Sequence, residues 1–426
     1  MKLFPLRVLL VLQSRATGNS LLPNLKTLNF WAIDEEFISF IPLFLSRTTT
    51  LVNFGSFGSN PSQEALASMI AALPKLCPGL REIRFNTLPK NPIISTAVSE
   101  LLLTTNQNTL HCFHADSPLT DEAREVICKL PNLRDLRMFI DGPTSLPSMV
   151  LPGLAKIYIE YGRDNNWLEG FRGASLGKLA SATFSPKYAP TDDFLKALES
   201  VVLTTSIPLT LSSLKLRTFR PWIPNYRSLL PFTQLKTLSI ESPCTFVCTS
   251  TIDDNTITDL AQTMPQLESL QLGDPPCNTP AGITLKGLFT LARCCPHLSR
   301  LCIHFQVTAV DPTAIPGQNF TNGSTSPRES CALTYLQAGA IPVPEESASM
   351  VALVLLRIFP HLTEIDYTYR GWKKVVGAIC DSRGLSSRVS KTSRRCFAMF
   401  ITSLQDQRPY LRVLSNYEPR RSARAL

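Results

Sequence analysis

The sequence predicts an α/β solenoid, in which short parallel strands line a concave face and helices form the convex face. Three observations predict it: a recurring phrase, the spacing of its copies, and the helical segments that precede them. The phrase is Pro-x-Leu-x-x-Leu-x-apolar, as in Pro-Asn-Leu-Lys-Thr-Leu-Asn-Phe at 23–30 and Pro-Gln-Leu-Glu-Ser-Leu-Gln-Leu at 265–272. A repeat of this kind fixes the architecture, because one unit cannot bury its apolar face without its neighbours.

Thirteen copies of the phrase, some weaker than others, share one frame. The first apolar residue of each copy lies at position 25, 51, 80, 110, 133, 154, 179, 211, 235, 267, 298, 333 or 362. Successive copies are therefore 21 to 35 residues apart, and leucine-rich repeats typically run about 20–29 residues. We therefore expect a leucine-rich-repeat horseshoe over residues 1–370. The alternative is an ordinary α/β domain built from amphipathic helices and strands.

Each repeat is predicted to contain a helix, a Pro-x-Leu turn, a short strand and a loop. The apolar residues at the fourth and sixth positions of the phrase alternate with polar ones, so they share one face of a strand. The proline ends the element before it, because it cannot continue a helix, and Asp, Ser or Thr stands near several helix starts. The predicted helices are Ser62–Leu73, Ile93–Leu103, Thr120–Leu130, Thr191–Leu203, Asp254–Met264, Ile283–Cys294 and Ser349–Phe359.

Two segments interrupt or follow the predicted repeats. Residues 306–331 carry scattered prolines and glycines, which predict a loop inserted between two repeats. Residues 371–426 hold twelve Lys and Arg but three Asp and Glu; they lack the phrase and are predicted to be a basic, partly disordered C-terminal tail. Residues 1–370 hold thirty of each sign, a balance that does not favour a nucleic-acid partner. No apolar run reaches the roughly 18 residues of a membrane span.

Some residues match catalytic or metal-binding motifs, but their positions in the predicted repeats do not favour catalysis or metal binding. The Gly-x-Ser-x-Gly pattern around Ser175 does not follow a strand, as a hydrolase nucleophile would. Cys112 and His114 are expected on the concave side, while His111 lies in the turn, and we expect a surface pair with no metal. We therefore predict a non-catalytic protein without a cofactor. Scattered, unclustered cysteines favour a reduced, intracellular compartment.

Strand alternation predicts the binding surface. Polar and aromatic residues beside the buried positions should point to the concave side, and Arg, Trp and Tyr dominate the energetics of interfaces. Some of these side chains could instead be covered by loops or by neighbouring strands. The candidate contact residues are Trp31, Arg84, Arg137, Phe139, Tyr158, Glu160, Lys215, Arg217, Arg300 and His304.

Three phrases resemble the repeat region of fungal F-box proteins: Leu-Pro-Asn-Leu-Lys-Thr-Leu at 22–28, Leu-Ala-Arg-Cys-Cys-Pro-His-Leu-Ser-Arg-Leu at 291–301 and Phe-Pro-His-Leu-Thr-Glu-Ile at 359–365. The resemblance covers about residues 5–370. It implies a substrate receptor of a cullin–RING ubiquitin ligase, in which the repeats hold the protein to be ubiquitylated. The chain shows no F-box phrase before its first repeat, so a ligase adaptor is expected as a partner only if an F-box lies upstream.

Two other functions stay open from the sequence. A secreted or cell-surface recognition protein would use the sequons at Asn319 and Asn322 and an apolar N-terminus. A serine hydrolase would act through Ser175. In the favoured interpretation, the partner is a protein or peptide that binds the concave face, and no membrane is involved.

Overall fold

The computed structural model describes most of the chain. The described residues are 20–30, 35–55, 62–141, 146–162, 166–172, 174, 176–187, 193–203, 210–218, 226–241, 252–273, 282–307, 331–338, 343–367 and 371–383. They form an α/β fold around one sheet of thirteen parallel strands, which lie side by side in chain order. The predicted α/β class and parallel strands are thereby confirmed, in an arrangement consistent with a solenoid.

The strands are short and follow one another at irregular intervals. Their bounds are β1 Thr27–Phe30, β2 Leu51–Phe54, β3 Glu82–Phe85, β4 Cys112–Pro118, β5 Asp135–Ile140, β6 Lys156–Tyr161, β7 Ser181–Pro186, β8 Ser213–Arg217, β9 Thr237–Glu241, β10 Ser269–Leu272, β11 Arg300–Ile303, β12 Tyr335–Ala338 and β13 Glu364–Asp366.

Helices occupy many of the connections between strands. Among the described residues they are α1 Glu35–Ile38, α2 Gln63–Leu76, α3 Pro92–Thr104, α4 Asp121–Ile127, α5 Asp193–Leu203, α6 Asp254–Thr263, α7 Leu285–Cys294, α8 Ala348–Ile358 and α9 Gly371–Ser382. Short 3-10 turns lie at Ile41–Phe44, Asn166–Phe171, Tyr226–Leu229 and Glu345–Ser347. None of the described helices is long and apolar enough to cross a membrane.

Helix boundaries follow the capping residues and prolines of the sequence. Ser62, Asn91, Thr120 and Asp253 each accept a hydrogen bond from a backbone N–H three residues on, as N-caps do. The C-caps of α2, α6, α7 and α8 each stand directly before the proline of a phrase. The predicted role of that proline as a helix terminator is confirmed for these four helices.

The first residues of all thirteen strands pair in one register, and the pairing shifts only between β4 and β5, after His114. The second position of every strand is apolar and buried, from Leu28 in β1 to Ile365 in β13. The fourth position, where a strand has one, is apolar too, and three such residues stack: the Phe30 and Phe54 rings are 6.2 Å apart, and the Phe54 and Phe85 rings 5.6 Å. We call this side of the sheet the core face, and the side formed by the first and third positions the polar face.

The predicted frame is correct for twelve of the thirteen copies, whose first apolar residue lies two positions before its strand. The exception is Leu51, which itself begins β2 on the polar face. Thr49 takes the buried position instead, fully shielded from solvent. Its hydroxyl donates to the Leu25 carbonyl at 2.9 Å and accepts from the Ser46 N–H at 3.2 Å. These bonds satisfy a polar group where the repeat ordinarily has leucine.

The chain continues as ordered structure past residue 370. The tail predicted from Gly371 begins instead with α9, because Trp372, Val375 and Ile379 are buried at helical spacing. The Trp372 ring lies 5.8 Å from that of Phe305, edge to face, so α9 covers the end of the core. Residues 384–426 and most of the predicted inserted loop lie outside the described residues.

We expect Leu238→Ala, on the core face of β9, to lower the free energy of unfolding by about 2–5 kcal/mol, because it leaves a cavity in a fully buried site. The adjacent Thr237→Ala, on the polar face, should change it by less than about 1 kcal/mol. Chemical denaturation followed by circular dichroism measures both. Equal effects of the two variants would contradict the assignment of faces.

Candidate interaction surface

The polar face of β3–β6 carries charged and aromatic side chains in two rows. The first strand positions hold Glu82, Cys112, Asp135 and Lys156, and the third positions hold Arg84, His114, Arg137 and Tyr158. We call these eight residues, with Asp116 and Glu160, the polar cluster. The register brings Arg84, Arg137, Tyr158 and Glu160 of the sequence-predicted contact residues into one surface.

Arg137 is held from two sides within this cluster. Its Nε lies 2.8 Å from Asp116 Oδ1, and its Nη2 donates to Asp116 Oδ2 at 3.1 Å. Its guanidinium carbon also lies 4.4 Å from the centre of the Tyr158 ring, in a cation–π contact. A guanidinium fixed in this way leaves the Arg137–Tyr158 pair as a rigid, partly exposed anchor.

Asp116 reaches Arg137 because β4 is irregular. The pairing of β4 with β5 shifts between His114 and Pro118, and Asp116 is 8% exposed. Burial raises the pKa of Asp116 to about 6, and neighbouring Glu160 adds to the rise, while Arg137 and Lys90 oppose it. The carboxylate that holds Arg137 is therefore close to its protonation point at mildly acidic pH.

Phe139 was predicted as an exposed contact residue, and that prediction is wrong. Its side chain is 2% exposed, because the Lys90 ammonium lies 3.8 Å from the centre of its ring. Lys90 also pairs with Glu160, because its Nζ lies 2.7 Å from Glu160 Oε1. The loop before α3 thus covers Phe139, and Glu160 remains on the surface as the partner of Lys90.

The other half of the cluster contains five titratable side chains. Arg84 lies 3.0 Å from Glu82, and burial raises the pKa of Cys112 to about 12. His114 Nε2 lies 3.0 Å from Asp135 Oδ1. Burial opposes the ionisation of Asp135, but His114, Arg84 and Lys156 outweigh it and lower its pKa. The ligand atoms of Cys112, His114 and Asp135 lie within 4.8 Å of one another.

The remaining predicted contact residues lie elsewhere on the sheet. On β8, Lys215 and Arg217 both contact Glu241 of β9, with 2.7 Å between Arg217 Nε and the carboxylate. Burial opposes ionisation of Glu241, but the two cations outweigh it and lower its pKa. On β11, Arg300 lies over the Tyr335 ring, 4.5 Å from its centre.

Four further residues singled out in the sequence complete the account. His304 follows β11 directly and is half-buried. Trp31 and Ser175 lie outside the described residues, so the proposed aromatic contact at Trp31 stays a prediction. His111 contacts the carbonyl of Thr109 through its ring and does not join the Cys112 group.

Sequence reasoning missed Asp116 and Lys90. The alternation Cys112, His114, Asp116 would have indicated Asp116, had β4 been predicted to continue past its fourth residue. Nothing in the sequence near Lys90 indicates its contact with Glu160, which lies 70 residues further along the chain.

A scan against models of protein families found no match for this chain, and a search of curated proteins also found none. The geometry of the described residues therefore carries the functional proposal.

We expect Asp116→Asn to change the pH dependence of stability. The folded state raises the pKa of Asp116 from 3.8 to about 6, so this group favours folding below pH 3.8 and loses that contribution as pH rises through about 6. The variant cannot ionise. Between pH 4 and pH 7 its free energy of unfolding should therefore rise, relative to that of wild type, by on the order of 2–3 kcal/mol. Denaturation at each pH measures this difference. A constant difference across that range would contradict the assignment.

Proposed function

We propose that the protein is a non-catalytic recognition protein with the horseshoe architecture of leucine-rich repeats, and that it binds a protein or peptide through the polar face of β3–β6. The observation that carries the proposal is the Arg137–Tyr158 anchor, which lies on the polar face of the sheet and is fixed by Asp116. Arginine and tyrosine pre-ordered in this way are typical of interface hot spots.

The horseshoe is supported by a mismatch of spacings. Neighbouring strands of a sheet lie about 4.8 Å apart, whereas packed helices lie about 8–10 Å apart. Helices in successive repeats contact one another, as α2 does α3 and α6 does α7. Where strands and helices alternate in a single chain, the helix layer therefore needs more length than the sheet, which favours curvature with the strands on the inner side.

The charge pattern of the polar cluster favours a protein partner. Arg84 and Arg137 each contact a carboxylate of the chain itself, so neither is a bare cation of the kind that phosphate contacts use. The surface offers both signs of charge beside the Tyr158 ring. Mixed charge around an aromatic anchor suits a folded protein or peptide better than a polyanion.

The resemblance to F-box proteins suggests the role that we propose, which is to hold the substrate of a ubiquitin ligase on the polar face. The ligase adaptor would then dock on an F-box outside the repeats. An intracellular location accords with the cysteines, since none of those that the structure describes forms a disulfide.

We expect Arg137→Ala and Tyr158→Ala each to weaken partner binding by at least about 30-fold, as loss of a hot spot does. The measurement is affinity purification from the native host with quantitative mass spectrometry, followed by titration of the captured partner. Arg172→Ala is the matched control, because this arginine also pairs with a carboxylate, Glu169 at 3.1 Å, but directly follows the 3-10 turn Asn166–Phe171 and lies outside the strands of the polar face.

Circular dichroism establishes that each variant is folded before its binding is compared. Partners that bind both folded variants as tightly as wild type would overturn the assignment of this face. Capture of the ligase adaptor by the full-length protein would support the receptor role, and its absence would remove that role while leaving the binding surface in place.

A further inference from the structure

Three side chains on the polar face bring together three kinds of metal-binding atom. Cys112 and His114 stand two residues apart on β4 and therefore share a face, and Asp135 stands opposite Cys112 on β5. The thiol sulfur, an imidazole nitrogen and a carboxylate oxygen lie within 4.8 Å of one another. Among the described residues, no other group of three such side chains is as close.

The distance between the ligand atoms of His114 and Asp135 is close to that between two ligands of one metal ion. His114 Nε2 lies 3.0 Å from Asp135 Oδ1. Two ligands of one Zn²⁺, each about 2.0–2.2 Å from the ion and at a tetrahedral angle, lie roughly 3.3–3.6 Å apart. The observed nitrogen–oxygen separation is within a few tenths of an ångström of that spacing, and the Cys112 sulfur lies within 4.8 Å of both atoms.

The surroundings hold the three ligand groups in place. Strand pairing fixes the backbone under all three, and Cys112 is 3% exposed. Arg84 stands opposite His114 on the neighbouring strand β3 and is itself held by Glu82 at 3.0 Å. Such neighbouring side chains orient a metal ligand and stabilise its charge.

We propose that this site binds Zn²⁺ through Cys112 Sγ, His114 Nε2 and the Asp135 carboxylate. A mixed sulfur, nitrogen and oxygen donor set favours zinc over magnesium or calcium, which take oxygen ligands. Three protein ligands leave a fourth position toward solvent, where Asp135 is 30% exposed. Binding releases the thiol proton to solvent, and the bound thiolate and carboxylate neutralise the ion.

The chain supplies its own control at Cys302 and His304, which have the same Cys-x-His spacing at the end of β11. Cys302 stands at a third strand position, opposite Gln337 and Gln271, and hydrogen-bonds Gln337 at 3.0 Å. No carboxylate completes a group of three there within the described residues. The same spacing without the acidic strand neighbour should therefore not bind zinc tightly.

The experiment uses the purified full chain, freed of metal, and needs no partner. Zn²⁺ is titrated against a chromophoric chelator, and Co²⁺ is added separately to detect thiolate ligation through a near-ultraviolet charge-transfer band. We expect one tight ion per chain, and a cobalt band. Changing a residue that only contacts a metal ligand weakens metal binding about 10–100-fold. Cys112→Ser and Asp135→Asn alter the ligands themselves, so each should weaken zinc binding by about 100-fold or more. Cys112→Ser should also abolish the cobalt band.

Cys302→Ser should leave both readouts at the wild-type level. If wild type takes up no zinc, or if Cys302→Ser removes the cobalt band while Cys112→Ser keeps it, the proposal is overturned. Circular dichroism of the metal-free variants separates loss of binding from loss of folding. A wild-type chain that takes up no zinc overturns the proposal even if a variant fails to fold. Because no partner is present, the outcome is independent of the proposed recognition role.

Discussion

The constant register of the parallel ladder is the constraint on which the rest of the structure depends. Each strand buries its second and fourth side chains only if the strand before and the strand after present theirs at the same height. The distance along the chain from one strand to the next is free to vary, and does, because helices, 3-10 turns and loops between strands absorb the difference. The Phe30, Phe54 and Phe85 rings stack because the register places them in one column.

The same register also determines the electrostatics of the polar face. Side chains that lie opposite each other in a ladder are close enough for like charges to repel, and the third strand positions bring Arg84, His114 and Arg137 into one column. The neighbouring positions supply Glu82, Asp135 and Asp116 as counter-charges. The His114–Asp135 pair, the Arg137–Tyr158 contact and the three candidate zinc ligands are therefore consequences of this alignment, and a slip of one residue would disperse them.

Much of the fold could be predicted because apolar periodicity is a local property of the sequence. The frame failed at Leu51, since a hydrogen-bonded Thr49 fills a position that pattern reasoning reserves for an apolar residue. The end of the core was placed too early, because α9 carries a helical pattern of Trp372, Val375 and Ile379 without the strand phrase. The candidate site was harder to predict than the fold. Arg137 and Tyr158 follow from the alternation of side chains along a strand, whereas Lys90 covers Phe139 through a contact between distant repeats that no local pattern encodes.

Cross-linking across β7 and β8 tests the ladder most directly, because 32 residues separate the paired positions Ser181 and Ser213. In a parallel register these Cα atoms are about 5 Å apart, within disulfide range, whereas Ser181 and Lys215 are about 8 Å apart, outside it. Oxidation of Ser181→Cys/Ser213→Cys, mapped by peptide mass spectrometry, should give the engineered disulfide. Ser181→Cys/Lys215→Cys should not. The opposite result would mean that the strands are not aligned as described, and the polar cluster would not exist as a surface.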